Sequence, residues 1–225
     1  MDKYIHMYNA YGITYLGYSL LKSSSIEEKK ALLYSGLIGL SFQIPKEIVD
    51  GFTELNGFSI LDLLSEIAGS SLFVSQQLLL KEQIIRLKFS FSKSEYADPS
   101  NGYLGKNLVQ YYFKDPNAHT YWISCNLNRL FLRDKLPPWL SMAAGYSVNG
   151  VYGAYQNETF FEGVEVPQTQ RYRQFLLSLD IDWSRIRTKS GFLKTVFKGL
   201  NLVKIPFPAV EFNSLGKFKG YWLYF

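Results

Sequence analysis

A chain of 225 residues, 47% of them apolar, is not disordered and can bury one sizeable core or two small ones. A mean hydropathy of −0.06 is too low for an ordinary multi-span membrane protein. A net charge of +5 without a long Lys/Arg run argues against nucleic acid and for an anionic membrane surface as partner.

Residues 1–80 carry three apolar segments expected to form helices. At about 100° per residue, His6, Asn9 and Ile13 fall on the side of Asp2, while Tyr4, Tyr8, Tyr11, Tyr15 and Tyr18 form a ladder on the opposite side. Tyrosine has an apolar body and a polar tip, so the ladder suits packing against a second layer or a lipid boundary. The second segment, about Ile26 to Phe52, lines up Gly36, Gly39, Gln43, Glu47 and Asp50, with a kink expected at Pro45. The third runs from Ser59 to about Leu80 and places Asp62, Ser65, Glu66, Gly69 and Gln76 broadly together; Ser59 to Asp62 also reads as a helix cap.

These segments predict a three-helix bundle with a polar centre of Asp2, Lys3, His6, Lys46, Glu47, Asp50, Asp62 and Glu66. Two roles fit. A carboxylate orienting His6 would make a general base, with Lys3 and Lys46 as cations for a phosphate-bearing lipid. A network of ion pairs fixing helix register needs only that the charges be partnered. Cys125 stands alone, which excludes an internal disulfide or a multi-cysteine metal site, and two histidines leave little for a metal centre; neither metal nor cofactor is expected.

Asp2-Lys3…His6, then Lys46-Glu47…Asp50, then Asp62…Gly69 resembles the YfiM-like family of uncharacterised bacterial envelope proteins. More distantly it is similar to the VanZ-like membrane proteins, although Glu66 stands where those usually have Asn. Longer relatives share Arg171-Tyr172-Arg173-Gln174 and Lys204-Ile205-Pro206-Phe207-Pro208. The resemblance implies an exported protein of the Gram-negative envelope, at the outer membrane. Met1 is followed at once by Asp2 and Lys3, so the natural signal is expected to be absent from this sequence.

After Lys81 the period changes from 3.6 to 2. Ile85, Leu87, Phe89 and Phe91 alternate with Arg86, Lys88 and Ser90, as in a half-buried strand. Tyr103 to Phe113 is a poorer strand candidate, His119 to Leu127 a better one, and Arg129 to Leu136 a short helix stopped by Pro137-Pro138. Leu140 to Val148 alternates, and residues 149–167 look like a loop. The clearest strand is 173–183, with Phe175, Leu177, Leu179, Ile181 and Trp183 on one face and Gln174, Ser178, Asp180 and Asp182 on the other. An amphipathic helix near 190–202 and strands near 209–213 and 217–225 follow. The aromatic end is similar to the terminal strand of outer-membrane barrels.

The expected fold is therefore α+β: a helical bundle over 1–82, then over 83–225 an antiparallel, aromatic-rich β-sheet or small β-barrel of about six to eight strands. The expected function is a non-catalytic outer-membrane or envelope protein serving assembly or maintenance, or an accessory subunit of an envelope complex. The alternative is a lipid- or glycan-active envelope enzyme using the polar centre. Membrane lipid is the expected partner, together with an envelope protein complex; catalytic residues are not assigned.

Overall fold

The computed structural model describes residues 1–42, 45, 59–130, 135–153 and 155–225. Helices α1 (Asp2–Ser23), α2 (Glu28–Ser41) and α3 (Ile60–Leu80) come first. The Ser59 hydroxyl accepts from the Asp62 amide at 3.3 Å and so caps α3. Small residues set how closely the helices approach. Thr14 of α1 donates to Ser70 of α3 at 3.0 Å, and Ser70 donates to the Gly36 carbonyl of α2 at 3.3 Å. A Cβ at Gly69 would overlap the Met7 carbonyl, and one at Gly39 would overlap Thr14.

The rest of the chain forms β1 (Ile85–Phe91), α4 (Leu108–Lys114), β2 (His119–Asn126), α5 (Leu127–Leu130), β3 (Leu140–Asn149), β4 (Phe160–Phe161), β5 (Val164–Glu165), β6 (Tyr172–Ile181), α6 (Gly191–Leu200), β7 (Phe207–Asn213) and β8 (Phe218–Tyr224). Six strands make one antiparallel sheet in the order β1-β2-β3-β6-β7-β8, and β4 and β5 form a separate hairpin. Of the two expected forms, an antiparallel sheet or a small barrel, the open sheet is the one present, and the barrel is not. The outer edge of β1 is taken by the segment after α6, because the Phe89 amide donates to the Leu202 carbonyl at 3.0 Å and the Lys204 amide to the Phe89 carbonyl at 2.9 Å. In a closed barrel that edge would pair with β8.

The open sheet is strongly curled. β1 and β6 are three strand spacings apart, about 14 Å on a flat sheet. Yet Lys88 of β1 reaches Asp180 of β6 at 2.7 Å, and Arg86 reaches Asp182, just after β6, at 3.3 Å. The curl brings the polar rows together on the concave side. Arg86, Lys88 and Ser90 are accordingly buried, so β1 is covered on both faces rather than half-buried.

The apolar rows lie on the convex side, and α1 occupies one part of it. Tyr4 stacks on Tyr146 with ring centroids 5.0 Å apart, and Tyr8 lies 5.7 Å from Phe89. Tyr11 and Tyr15 pack on Phe73 of α3, in a core that also holds Leu32, Leu87 and Leu202. The tyrosine ladder thus faces a second layer of protein. Tyr103 to Phe113 is not a strand. Asn107 caps the Gln110 amide at 3.0 Å and starts α4.

Candidate functional site

The first turns of α1 and α3 lie side by side and build the polar centre. His6 Nδ1 is 2.8 Å from Glu66 Oε1, with the His6 and Glu66 side chains 4% and 0% exposed. This contact turns the other ring nitrogen toward Asp2 Oδ1 at 3.7 Å and Asp62 Oδ1 at 3.8 Å. The Lys3 ammonium bonds Asp62 and lies 2.9 Å from Asp2 Oδ2 and 3.2 Å from the Ser59 hydroxyl. Asp2 and Lys3 are solvent-facing, and the centre closes inward toward Glu66.

Burial by itself would raise the Asp62 carboxyl, but the Lys3 ammonium and Ser59 hydroxyl outweigh it, with His6 adding to them. Asp62 is held below the ordinary carboxylate value. Burial likewise works against the Lys3 charge, and Asp62 and Asp2 overcome it, so Lys3 is raised.

The structure therefore brings Asp2, Lys3, His6, Asp62 and Glu66 together. Lys46, Glu47 and Asp50, with the kink expected at Pro45, lie outside the described residues or depend on them. One atom each from Asp2, His6 and Asp62 lie within 4.8 Å of one another, close enough to share a cation. Lys3 already supplies positive charge between the two aspartates. Chemically, the Glu66–His6 pair is an oriented imidazole and the Lys3–Asp62 pair an electrostatic latch between two helices.

A second polar assembly, on the concave side of the sheet, was not anticipated from the sequence. Lys88 and Asp180 are both fully buried, Asp180 also accepts from Ser124 at 2.6 Å, and Lys88 donates to the Ile181 carbonyl at 2.7 Å. Glu211 accepts from Gln174 at 2.7 Å, Tyr221 at 2.6 Å and Asn213 at 2.8 Å. Lys204 sits 5.1 Å from the Trp122 ring and 5.2 Å from the Phe207 ring, and burial pushes its ammonium down to about 8. One signal was available: cations Arg86 and Lys88 in one polar row match carboxylates Asp180 and Asp182 in another.

The residues of the first centre fall in a stretch with recognisable kin. Residues 1–77 match the family described as Predicted periplasmic lipoprotein (DUF2279). The match covers α1, α2, most of α3 and the polar centre between them, and it supports an uncharacterised family of the bacterial cell envelope. The periplasmic description is consistent with the cell envelope as location. The sheet lies beyond the lipoprotein-family match. No curated protein and no solved structure matches the chain.

Proposed function

We propose that this chain is a non-catalytic protein of the bacterial outer membrane that rests on the bilayer through the bare convex face of its sheet and serves envelope assembly or maintenance. The observation that carries this is the sense of the alternation in β6. Leu177 and Leu179 are 52% and 44% exposed, while Ser178 and Asp180 are 5% and 0% exposed. A sheet packed for water has the opposite sense, with its apolar row buried and its carboxylates outside. Phe175, Val210 and Phe212 extend the same bare surface across β6 and β7. An unpaired sheet edge is costly in hydrocarbon, so an open sheet suits contact through its face better than a transmembrane crossing.

Spin labels test this. In liposomes, labels at positions 177 and 179 should respond to oxygen, which is lipid-soluble, and labels at 178 and 180 should not. Labels at 177 and 179 that respond instead to a water-soluble relaxation agent would refute membrane contact.

One observation favours a lipid- or glycan-active enzyme: the Glu66–His6 pair holds an imidazole as a general base requires. The pairing of Lys3 with both aspartates supports the register-fixing role instead. Thin-layer chromatography of an envelope lipid extract incubated with wild type or His6→Gln separates the two. A product made by wild type and lost in the variant would establish the enzyme.

A further inference from the structure

We propose that α6 and the turn before it form a binding site for the phosphate headgroup of an anionic phospholipid, the contact that orients the bare sheet face on the bilayer. This rests on the membrane reading above and adds the partner's chemistry.

Charge is the first support. Residues 183–210 contain six cations (Arg185, Arg187, Lys189, Lys194, Lys198 and Lys204) and no carboxylate, whereas the other 197 residues hold 18 cations and 19 carboxylates. The whole excess of positive charge therefore belongs to this one segment. Lys204 is buried and Arg185 is paired with Asp182 and Glu82, which leaves Arg187, Lys189, Lys194 and Lys198 to attract an anionic surface.

The shape of α6 is the second. On a helical wheel Phe192, Val196, Leu200, Leu193 and Phe197 span an arc of roughly 140°, and Lys194 and Lys198 stand together beside it. Phe197 at one end of the arc packs on Trp183, with ring centroids 5.5 Å apart. Phe192 at the other end is 77% exposed. The lysines flank the Phe197 end of the apolar arc and Phe192 is bare at the other, so the helix carries both an apolar edge and a cationic row, the make-up of a helix that lies in a membrane interface.

Between α6 and the turn lies a cavity of about 390 Å³ whose wall includes Trp183, Ser184, Arg187, Thr188, Lys194 and Lys198. The Arg187 guanidinium, the Lys194 and Lys198 ammoniums and the Thr188 hydroxyl around one cavity match the oxygens of a phosphodiester, while the Ser184 hydroxyl is spent on Asp182 at 2.6 Å. Among the described residues neither Lys194 nor Lys198 has a carboxylate partner, so both charges are available to a ligand. The position agrees as well. The cavity lies at the end of β6, where the Asp182 amide donates to the Trp139 carbonyl at 2.8 Å, so the backbones of Trp139 and of the residue before Trp183 meet at the end of the strand that carries Leu177 and Leu179. Tryptophans belong at the level of headgroups.

The test is flotation of the full chain, diluted from mild detergent, with phosphatidylcholine vesicles with and without phosphatidylglycerol. Lys194→Gln/Lys198→Gln should weaken binding to the phosphatidylglycerol vesicles about thirty-fold, from on the order of 1 kcal/mol per cation, and leave binding to neutral vesicles unchanged. Phe192→Ser should weaken both. Circular dichroism matching wild type verifies that these exposed substitutions leave the fold intact. Equal binding of the double variant and wild type to phosphatidylglycerol vesicles overturns the inference. Displacement by inorganic phosphate, beyond that caused by chloride at the same ionic strength, overturns it too, in favour of a free-phosphate site. If labels at 177 and 179 respond to oxygen while the double variant binds normally, the headgroup site fails and the membrane reading stands. If those labels are in water, both fail.

Discussion

Asp180→Ala should be among the most damaging single substitutions in the sheet. Lys88 Nζ and Asp180 Oδ2 are 2.7 Å apart with both side chains fully buried. At an effective dielectric of about 20, that separation gives an attraction of about 6 kcal/mol. Taking each ion out of water costs several kcal/mol, so the intact pair comes out near break-even. Removing one member is different, because the buried charge left behind keeps its desolvation cost and loses its partner, a loss of about 3–5 kcal/mol. For a domain of this size that corresponds to a fall in Tm of roughly 6–20 °C. Thermal unfolding followed by circular dichroism in mild detergent measures it.

Two controls isolate the mechanism. Lys88→Met/Asp180→Leu removes both charges and should recover most of the stability lost by Asp180→Ala. Ser124→Ala removes one hydrogen bond to Asp180 and should cost only about 1 kcal/mol. A Tm for Asp180→Ala within roughly 2 °C of wild type, equivalent to about 1 kcal/mol or less, would mean that Lys88 reaches water. The concave side would then not be a dry interior, and the sense assigned to the alternation would be wrong.

Other outcomes follow from the same structure. Gly69→Ala should lose about 3 kcal/mol, because the new methyl meets the Met7 backbone, which cannot yield as a side chain can. Gly36→Ala meets Val74 at 3.4 Å, an ordinary contact, and should be neutral or gain about 0.5–1 kcal/mol from helix propensity; melting curves compare the two. Lys204 is depressed to about 8, so between pH 8 and its unfolded value of about 10.4 the unfolded chain binds the extra proton and stability rises with pH. Lys204→Met should remove that share of the rise and stabilise the protein at pH 7, as read from urea unfolding at several pH values; Lys88, also lowered by burial, acts in the same direction in both proteins. Asp62 is depressed, so its contribution is present above its unfolded value near 3.9 and is lost as pH falls through the folded value. Asp62→Asn should flatten the acid limb of the same curve by under about 1 kcal/mol, since Lys3 is 41% exposed.

Most of the helical region could be read from spacing. Asp2, His6, Asp62 and Glu66 meet because each pair sits one helical turn apart and the two helices run side by side. The strands were also visible, because period 2 is a strong signal over seven to ten residues. What alternation cannot say is which of its two faces is inside. In β1 and β6 the apolar face would ordinarily be taken for the core, and here the buried row contains Lys88 and Asp180. Their pairing depends on curl and register among four strands, information no local window holds. The choice between an open sheet and a barrel stays open in the sequence for the same reason, since it turns on whether β1 meets β8 or Leu202, pairings more than a hundred residues apart. Asn107 is a smaller case. Its side-chain cap decides between strand and helix for Leu108 to Lys114, and the aromatic content of that stretch pointed the other way.

The convex face of the sheet divides into a covered part and a bare part, and the sequence distinguishes them by tyrosine. Where α1 lies on β1 to β3, the contact is made by Tyr4 and Tyr8, whose rings cover apolar surface while the Tyr8 hydroxyl donates to the Leu202 carbonyl at 3.0 Å. That same carbonyl accepts the Phe89 amide at 3.0 Å. One backbone oxygen therefore joins the bundle, the first strand and the segment that follows α6. Leu87 and Leu202 belong to the core of Tyr11, Tyr15 and Phe73, so a cut near residue 82 would uncover apolar surface both on β1 and on Leu202, which pairs with its outer edge. Farther across the sheet, Leu177, Leu179 and Val210 have no hydroxyl to direct and no protein over them among the described residues. Aliphatic side chains of this kind suit an apolar covering that offers no hydrogen-bond partner, which is what acyl chains provide. On the membrane reading proposed above, a face divided into a part covered by tyrosines and a bare part of Leu177, Leu179, Val210, Phe175 and Phe212 is what protein on one side and lipid on the other would produce.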